Sequence, residues 1–152
     1  MNNVSCDEDI RGNAMTLPLK DKSDYFKGLL VLSRRDRLIN DEERNLLIKI
    51  GGILDFDKRF CEATIDDLLV NTNISRDPIV FPDENLKECF FRDALRLALS
   101  DGDLHPAEYR WLRQTAQANG WSKQRLDKII REFRKKGIEK THRVLFSIQK
   151  LL

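Results

Sequence analysis

Three carboxylates gather in one short stretch of the chain: Asp101 and Asp103 flank Gly102, and Glu108 follows five residues after Asp103. Carboxylate oxygens are hard donors, so such a group could hold a divalent cation, calcium or magnesium. The same residues could also turn the chain and cap the helix that follows. Gly102 accepts positive φ without steric cost, so a helix can stop there. Asp101 can close an Asx-turn. His105 then falls at the N-cap, Pro106 at the first helical position, and Glu108 at N3, where it can reach back to the N-cap N–H. A related group lies earlier, with Asp36 in RRDRL and Asn40 and Glu43 in NDEE, the latter pair again spaced as N-cap and N3. Capping accounts for both glutamates. It leaves the aspartates less explained, because Asp36 and Asp101 stand at helix C-terminal ends, where the macrodipole disfavours negative charge.

No other constellation suggests reaction chemistry. His142 has no Ser, Cys or His partner at a catalytic spacing, and the chain has neither an HExxH motif nor a phosphate-cradling glycine loop. The expectation is a protein that is not an enzyme. Cys6, Cys61 and Cys89 are odd in number and form no CxxC pair, which argues against a zinc ribbon or a thioredoxin-type centre. Cys61 and Cys89 sit among apolar residues and read as buried free thiols.

The elements that must position these residues read as helices. A length of 152 residues suits one domain, and 41% hydrophobic with 34% charged residues fits a globular chain with a busy surface. Leu126, Ile129, Ile130 and Phe133 form a stripe at helical spacing, as do Leu46, Leu47, Ile50 and Leu54. The best strand candidate, PIVF at 78–81, is too short and too proline-flanked to build a sheet. No apolar run approaches the ~20 residues of a membrane span. The polar start lacks a secretory pattern, so the expected location is cytoplasmic. Residues 1–22 read as a disordered tail and 23–152 as one domain.

The chain also repeats. Shifted by 65 residues, YFKGLLVLSRRD falls on FFRDALRLALSD, and without a gap Glu43 meets Glu108, Phe56 meets Trp121 and Leu68 meets Phe133. The reading is all-α: two three-helix repeats, 24–70 and 83–136, related by a pseudo-twofold axis, plus a C-terminal helix over 138–152 that begins after Gly137. Phe26, Leu30, Phe56, Phe91, Leu95 and Trp121 should lie at the centre.

Charge is uneven. Net charge is +2, yet residues 123–150 carry ten Lys or Arg against three Asp or Glu. The basic run over 123–143 could contact nucleic acid or an anionic membrane through phosphates, or could be a solvated helix end that favours the macrodipole. The apolar side of the C-terminal helix could dock on the bundle or form a homodimer contact.

The string SDGDLHPAEYRWLRQTAQANGWS resembles the hairpin of the TerB-like family, the tellurite-resistance domain also found at the N-terminus of some membrane-anchored DnaJ-type co-chaperones. The resemblance rests on Asp101, Gly102, Leu104, Glu108, Leu112 and the Gly120–Trp121–Ser122 turn. A degenerate first copy has Asp36, Ile39, Glu43, Leu47 and the Asp55–Phe56–Asp57 turn. The resemblance covers about 25–136. It implies a seven-helix all-α fold and a non-catalytic binding or adaptor role in a bacterial stress-response system, with a protein partner and a place in the cytoplasm, peripheral at the inner membrane. It further implies a weakly held divalent cation on Asp101, Asp103 and Glu108, with Asp36 and Glu43 in the first copy. That first bend departs from the pattern: Arg37 replaces the glycine, and Arg34, Arg35 and Arg37 would repel a cation.

Overall fold

The computed structural model describes residues 17–33, 39–71, 75–100, 102–136 and 146–152. They form six α-helices: α1 Leu19–Ser33, α2 Asp41–Ile53, α3 Lys58–Val70, α4 Glu84–Ala98, α5 Pro106–Ala118 and α6 Lys123–Lys136. A short 3-10 helix, Ser147–Leu151, follows, and there is no strand among the described residues. The all-α class is therefore as expected, with six α-helices rather than seven in the described part. No helix among the described residues is long and apolar enough to cross a membrane.

Four of the helices start where local chemistry supplies a cap. Asn40 Oδ1 accepts the Glu43 N–H at 2.7 Å, and Glu43 Oε1 accepts the Asn40 N–H at 3.4 Å. Asp83 caps α4 by accepting the Leu86 N–H at 3.1 Å, and Ser122 Oγ accepts the Arg125 N–H at 3.1 Å to start α6. At α5 the chain places His105 at the N-cap and Pro106 at N1, as the spacing predicts. Helices α2 and α5 end in the same way. Asp55 and Gly120 take positive φ, 72° and 80°. The next residue, Phe56 or Trp121, donates back to the carbonyl of Gly51 at 2.9 Å or Ala116 at 2.8 Å. This six-to-one bond satisfies the carbonyls that a helix end leaves open. Gly120 adopts the left-handed conformation freely, whereas Asp55 does so as an L residue with a short polar side chain.

Helices α1 and α4 form the centre. Their buried faces include Phe26, Leu30, Phe91 and Leu95, with Trp121 beside them; Phe56 is only half-buried. The close approach of α1 to α4 depends on Gly28, where a Cβ would lie 2.8 Å from the Phe90 ring. A second close approach joins α2 to α3, where Gly51 faces the Cys61 sulfur directly. Cys61 and Cys89 are free and buried, as expected.

The starts of α4, α5 and α6 each fall 65 residues after those of α1, α2 and α3. Packing recurs at the same offset: Phe26 meets Phe56 at 5.7 Å between ring centroids, and Phe91 meets Trp121 at 4.5 Å.

Two boundaries differ from the sequence reading. Residues 17–22 are not tail, because Leu17 is buried and α1 begins at Leu19, with the Lys22 N–H on the Pro18 carbonyl at 3.1 Å. Residues 1–16 lie outside the described part. A helix over 138–152 does not run to its expected end, because Phe146 is extended, at φ −80° and ψ 144°, and the residues after it are 3-10. Residues 137–145, including Gly137 and His142, lie outside the described part.

Candidate functional site

The acidic bends are only partly described. Asp36, with Arg34, Arg35 and Arg37, and Asp101 lie outside the described residues. Gly102 has φ 92°, the left-handed conformation that its position requires. Asp103 is exposed beside it. Glu108 is 2% exposed, and its Oε1 accepts the His105 N–H at 3.0 Å. Glu43 is 4% exposed and engaged in the same way with Asn40. Both glutamates therefore act as helix caps, each worth about 1 kcal/mol. Among the described residues, no three of His, Cys, Asp or Glu come together as a metal-ligating group.

A fully buried carboxylate with four donors among the described residues lies outside the sequence-derived candidates. Asp93, fully buried on α4, accepts from the Tyr25 hydroxyl at 2.6 Å. It also accepts from the backbone N–H groups of Ser147 at 2.6 Å and Ile148 at 3.1 Å, and from Arg96 at 2.8 Å. Burial pushes its carboxyl above the ordinary range, while the Tyr25, Ser147, Arg96 and Ile148 donors pull it back. Burial, then the Asp93 charge, keeps the Tyr25 phenol protonated. The sequence signal was a charge in the middle of the apolar run FFRDALRLAL, at the position where the first half has Gly28. Asp93 clasps the C-terminal segment to the bundle. Asn119 does the same for the inter-repeat segment: its side chain accepts the Phe81 N–H at 2.8 Å and donates to the Ile79 carbonyl at 2.7 Å. Phe81 and Phe146, again 65 residues apart, are both buried.

The basic run is partly committed. Lys123 pairs with Asp127 at 2.6 Å. Arg125 pairs with Glu84 at 2.8 Å and stacks 3.7 Å above the Trp121 ring. Lys128, Arg131, Arg134, Lys135 and Lys136 remain on the exposed side of α6.

The two α1-type helices meet their α3-type helices in unlike ways. At the α4–α6 seam, Arg92 bridges Glu88 at 3.0 Å and Glu132 at 3.6 Å. Arg125 reaches Glu88 at 3.4 Å. The Trp121 indole donates to Glu84 at 2.9 Å and, with Arg125, holds that carboxyl below its usual range. Arg96 covers the Phe133 ring at 5.4 Å. This polar latch closes the seam. At the matching positions of the α1–α3 seam the latch is missing. Leu19 stands for Glu84, Ser23 for Glu88, Val31 for Arg96 and Phe60 for Arg125. A groove of about 240 Å³ remains, floored by Phe26, Leu30, Phe56 and Leu68 and rimmed by Lys27 and Asp67. Phe60, 50% exposed, stands at its edge, and Leu19 is 69% exposed.

No family model, curated protein or solved structure matches this chain. The groove has an apolar floor with a cation on one rim and an anion on the other. That chemistry suits an apolar side chain carried on a charged surface.

Proposed function

We propose that the chain is a binding module, a duplicated TerB-like domain that receives a protein partner in the α1–α3 groove. The observation that carries this reading is the contrast between the two seams: Leu19, Val31 and Phe60 replace charged members of the latch in one copy, and Phe60 is left exposed. The recurrence of helix starts, of the Asp55 and Gly120 turns, and of the Phe26–Phe56 and Phe91–Trp121 pairs at one offset supports two pseudo-twofold-related copies of a single unit. A role as a non-catalytic adaptor in a bacterial stress-response system follows from the TerB-like resemblance and is part of the same proposal. The rival reading, a basic surface for nucleic acid or anionic lipid, loses Lys123 and Arg125, which are tied to carboxylates, and rests on the exposed Lys128, Arg131, Arg134, Lys135 and Lys136.

The test transplants the latch. Ser23→Glu with Phe60→Arg gives the first seam the residues of the second. Nile red, a neutral apolar dye, should bind the parent and lose most of its emission on the double variant, which should remain folded by circular dichroism. Equal emission from both would remove the groove as a binding surface.

A further inference from the structure

We infer that the occupant of the α1–α3 groove is a second copy of this chain, docked about a twofold axis that runs along α1 and α3. The inference rests on the reading of the groove as a binding surface and adds the identity of the partner. An isologous contact needs a face that is complementary to itself. The two rims have that property. Lys27 on α1 and Asp67 on α3 occupy the positions of Arg92 and Glu132, which bridge their own seam at 3.6 Å. Lys27 and Asp67 therefore stand at one level along the groove, on opposite sides, and among the described residues no ion pair joins them. Rotation about an axis parallel to the helices lays α1 of each copy against α3 of the other. Lys27 then faces Asp67 of the second copy, and the pairing occurs twice.

The apolar residues fit the same arrangement. Phe60 projects from the first turn of α3 and, among the described residues, makes a ring contact only with Phe56, at 5.3 Å. Its counterpart Arg125 folds back over Trp121 and binds Glu88 across the seam. Phe60 has no such tether, and Ser23, the counterpart of Glu88, leaves space opposite it. In the paired form, Phe60 of one copy lies against the Ser23–Lys27 wall of the other, and the two grooves close on each other. Leu19, exposed at the start of α1, extends the apolar area. The residues that latch one half of the molecule internally have become, in the other half, a surface that latches two molecules.

Sedimentation equilibrium of the full chain from ~1 μM to ~1 mM covers the range in which a modest interface of this kind dissociates. The parent should form a reversible dimer. Lys27→Glu alone and Asp67→Lys alone each turn two attractive contacts repulsive, and each should weaken the dimer by roughly tenfold or more. The double reversal, Lys27→Glu with Asp67→Lys, restores opposite charges and should return the dissociation constant to about the parent value. Phe60→Asp should be monomeric throughout. All three substituted positions are exposed, and melting curves show whether each variant is folded. A parent that stays monomeric at the top concentration overturns the inference. So does a dimer that ignores the single reversals, or one that the double reversal fails to restore. The Nile red comparison separates the two levels: a monomer that still loses dye binding on the latch transplant keeps the groove and rejects the second copy, whereas a monomer whose dye binding is unaffected by the transplant rejects both.

Discussion

Replacing Asp93 by Ala removes the acceptor on which two distant parts of the chain converge. The Tyr25 hydroxyl and the Ser147 and Ile148 N–H groups lose their partner, while Arg96, part-exposed, can turn to water. An orphaned buried donor costs about 1–3 kcal/mol, and breaking a buried charged contact from one side costs about 3–5 kcal/mol. The wild-type carboxylate carries a desolvation cost of its own, so the lower figure, about 3 kcal/mol, is the expected net loss. At this chain length each kcal/mol moves the melting temperature by about 2–4 °C, which gives a fall of about 6–12 °C. Residues 146–152 should also become cleavable by trypsin at Lys150 under native conditions. Asp93→Asn, which keeps the shape, should lose less. The pH dependence has a definite sign. Burial holds the folded carboxyl above its unfolded value, so the folded state binds the proton more readily. The stability that Asp93 contributes relative to Asn is therefore full below the unfolded pKa and declines as pH rises through the folded one. Urea denaturation at acid and neutral pH measures that difference. A loss below about 1 kcal/mol for Asp93→Ala, with Lys150 still protected, would refute the clasp.

Three other outcomes follow from the packing and the caps. Gly51→Ala drives a Cβ into the Cys61 sulfur and towards the Phe26 ring. It should cost about 1–3 kcal/mol in denaturant melts, with part of the loss recovered when Cys61→Ala is added. Glu108→Ala should lose about 1 kcal/mol of helix capping, equally with and without millimolar calcium; a larger loss when the ion is present would assign Glu108 to a cation. Burial pushes the Cys89 thiol up to about 11, and its sulfur donates to the Ser147 carbonyl at 3.4 Å. Cys89 should accordingly resist iodoacetamide at pH 8 in the native protein and react once urea unfolds it, as peptide mass spectrometry would show.

Local chemistry was legible in the sequence and long-range chemistry was not. The period of the apolar residues placed the helices, and Asn40, Pro106, Gly102 and Gly120 marked their ends because caps depend on neighbours three or four residues away. The offset of 65 residues could be read from side-chain type alone. By contrast, the partners of Asp93 lie 68 and 54 residues distant, and no spacing rule links such positions. The apolar spacing of Val144, Leu145, Ile148 and Leu151 reads as helical. In the described part the N–H groups of residues 147 and 148 bond to Asp93, and Phe146 just before them is extended. The open α1–α3 seam was equally hidden, because its apolar residues look like core until Phe60 is seen standing in solvent. For the bend, the sequence left cap and cation both open; the described geometry accounts for Glu43 and Glu108 as caps.

The clasp at Asp93 also sets an order of events during synthesis. Ser147 is made 54 residues after the carboxylate that receives it. At about 5–20 residues per second, a nascent chain therefore holds α4 without the Ser147 and Ile148 donors of its central acid for several seconds. During that interval α1 and α4 can associate through Tyr25, but the acid stays open to water on its far side. Closure of this contact waits for residue 147, and a ribosome stalled before it would leave that side of the Asp93 carboxyl facing water.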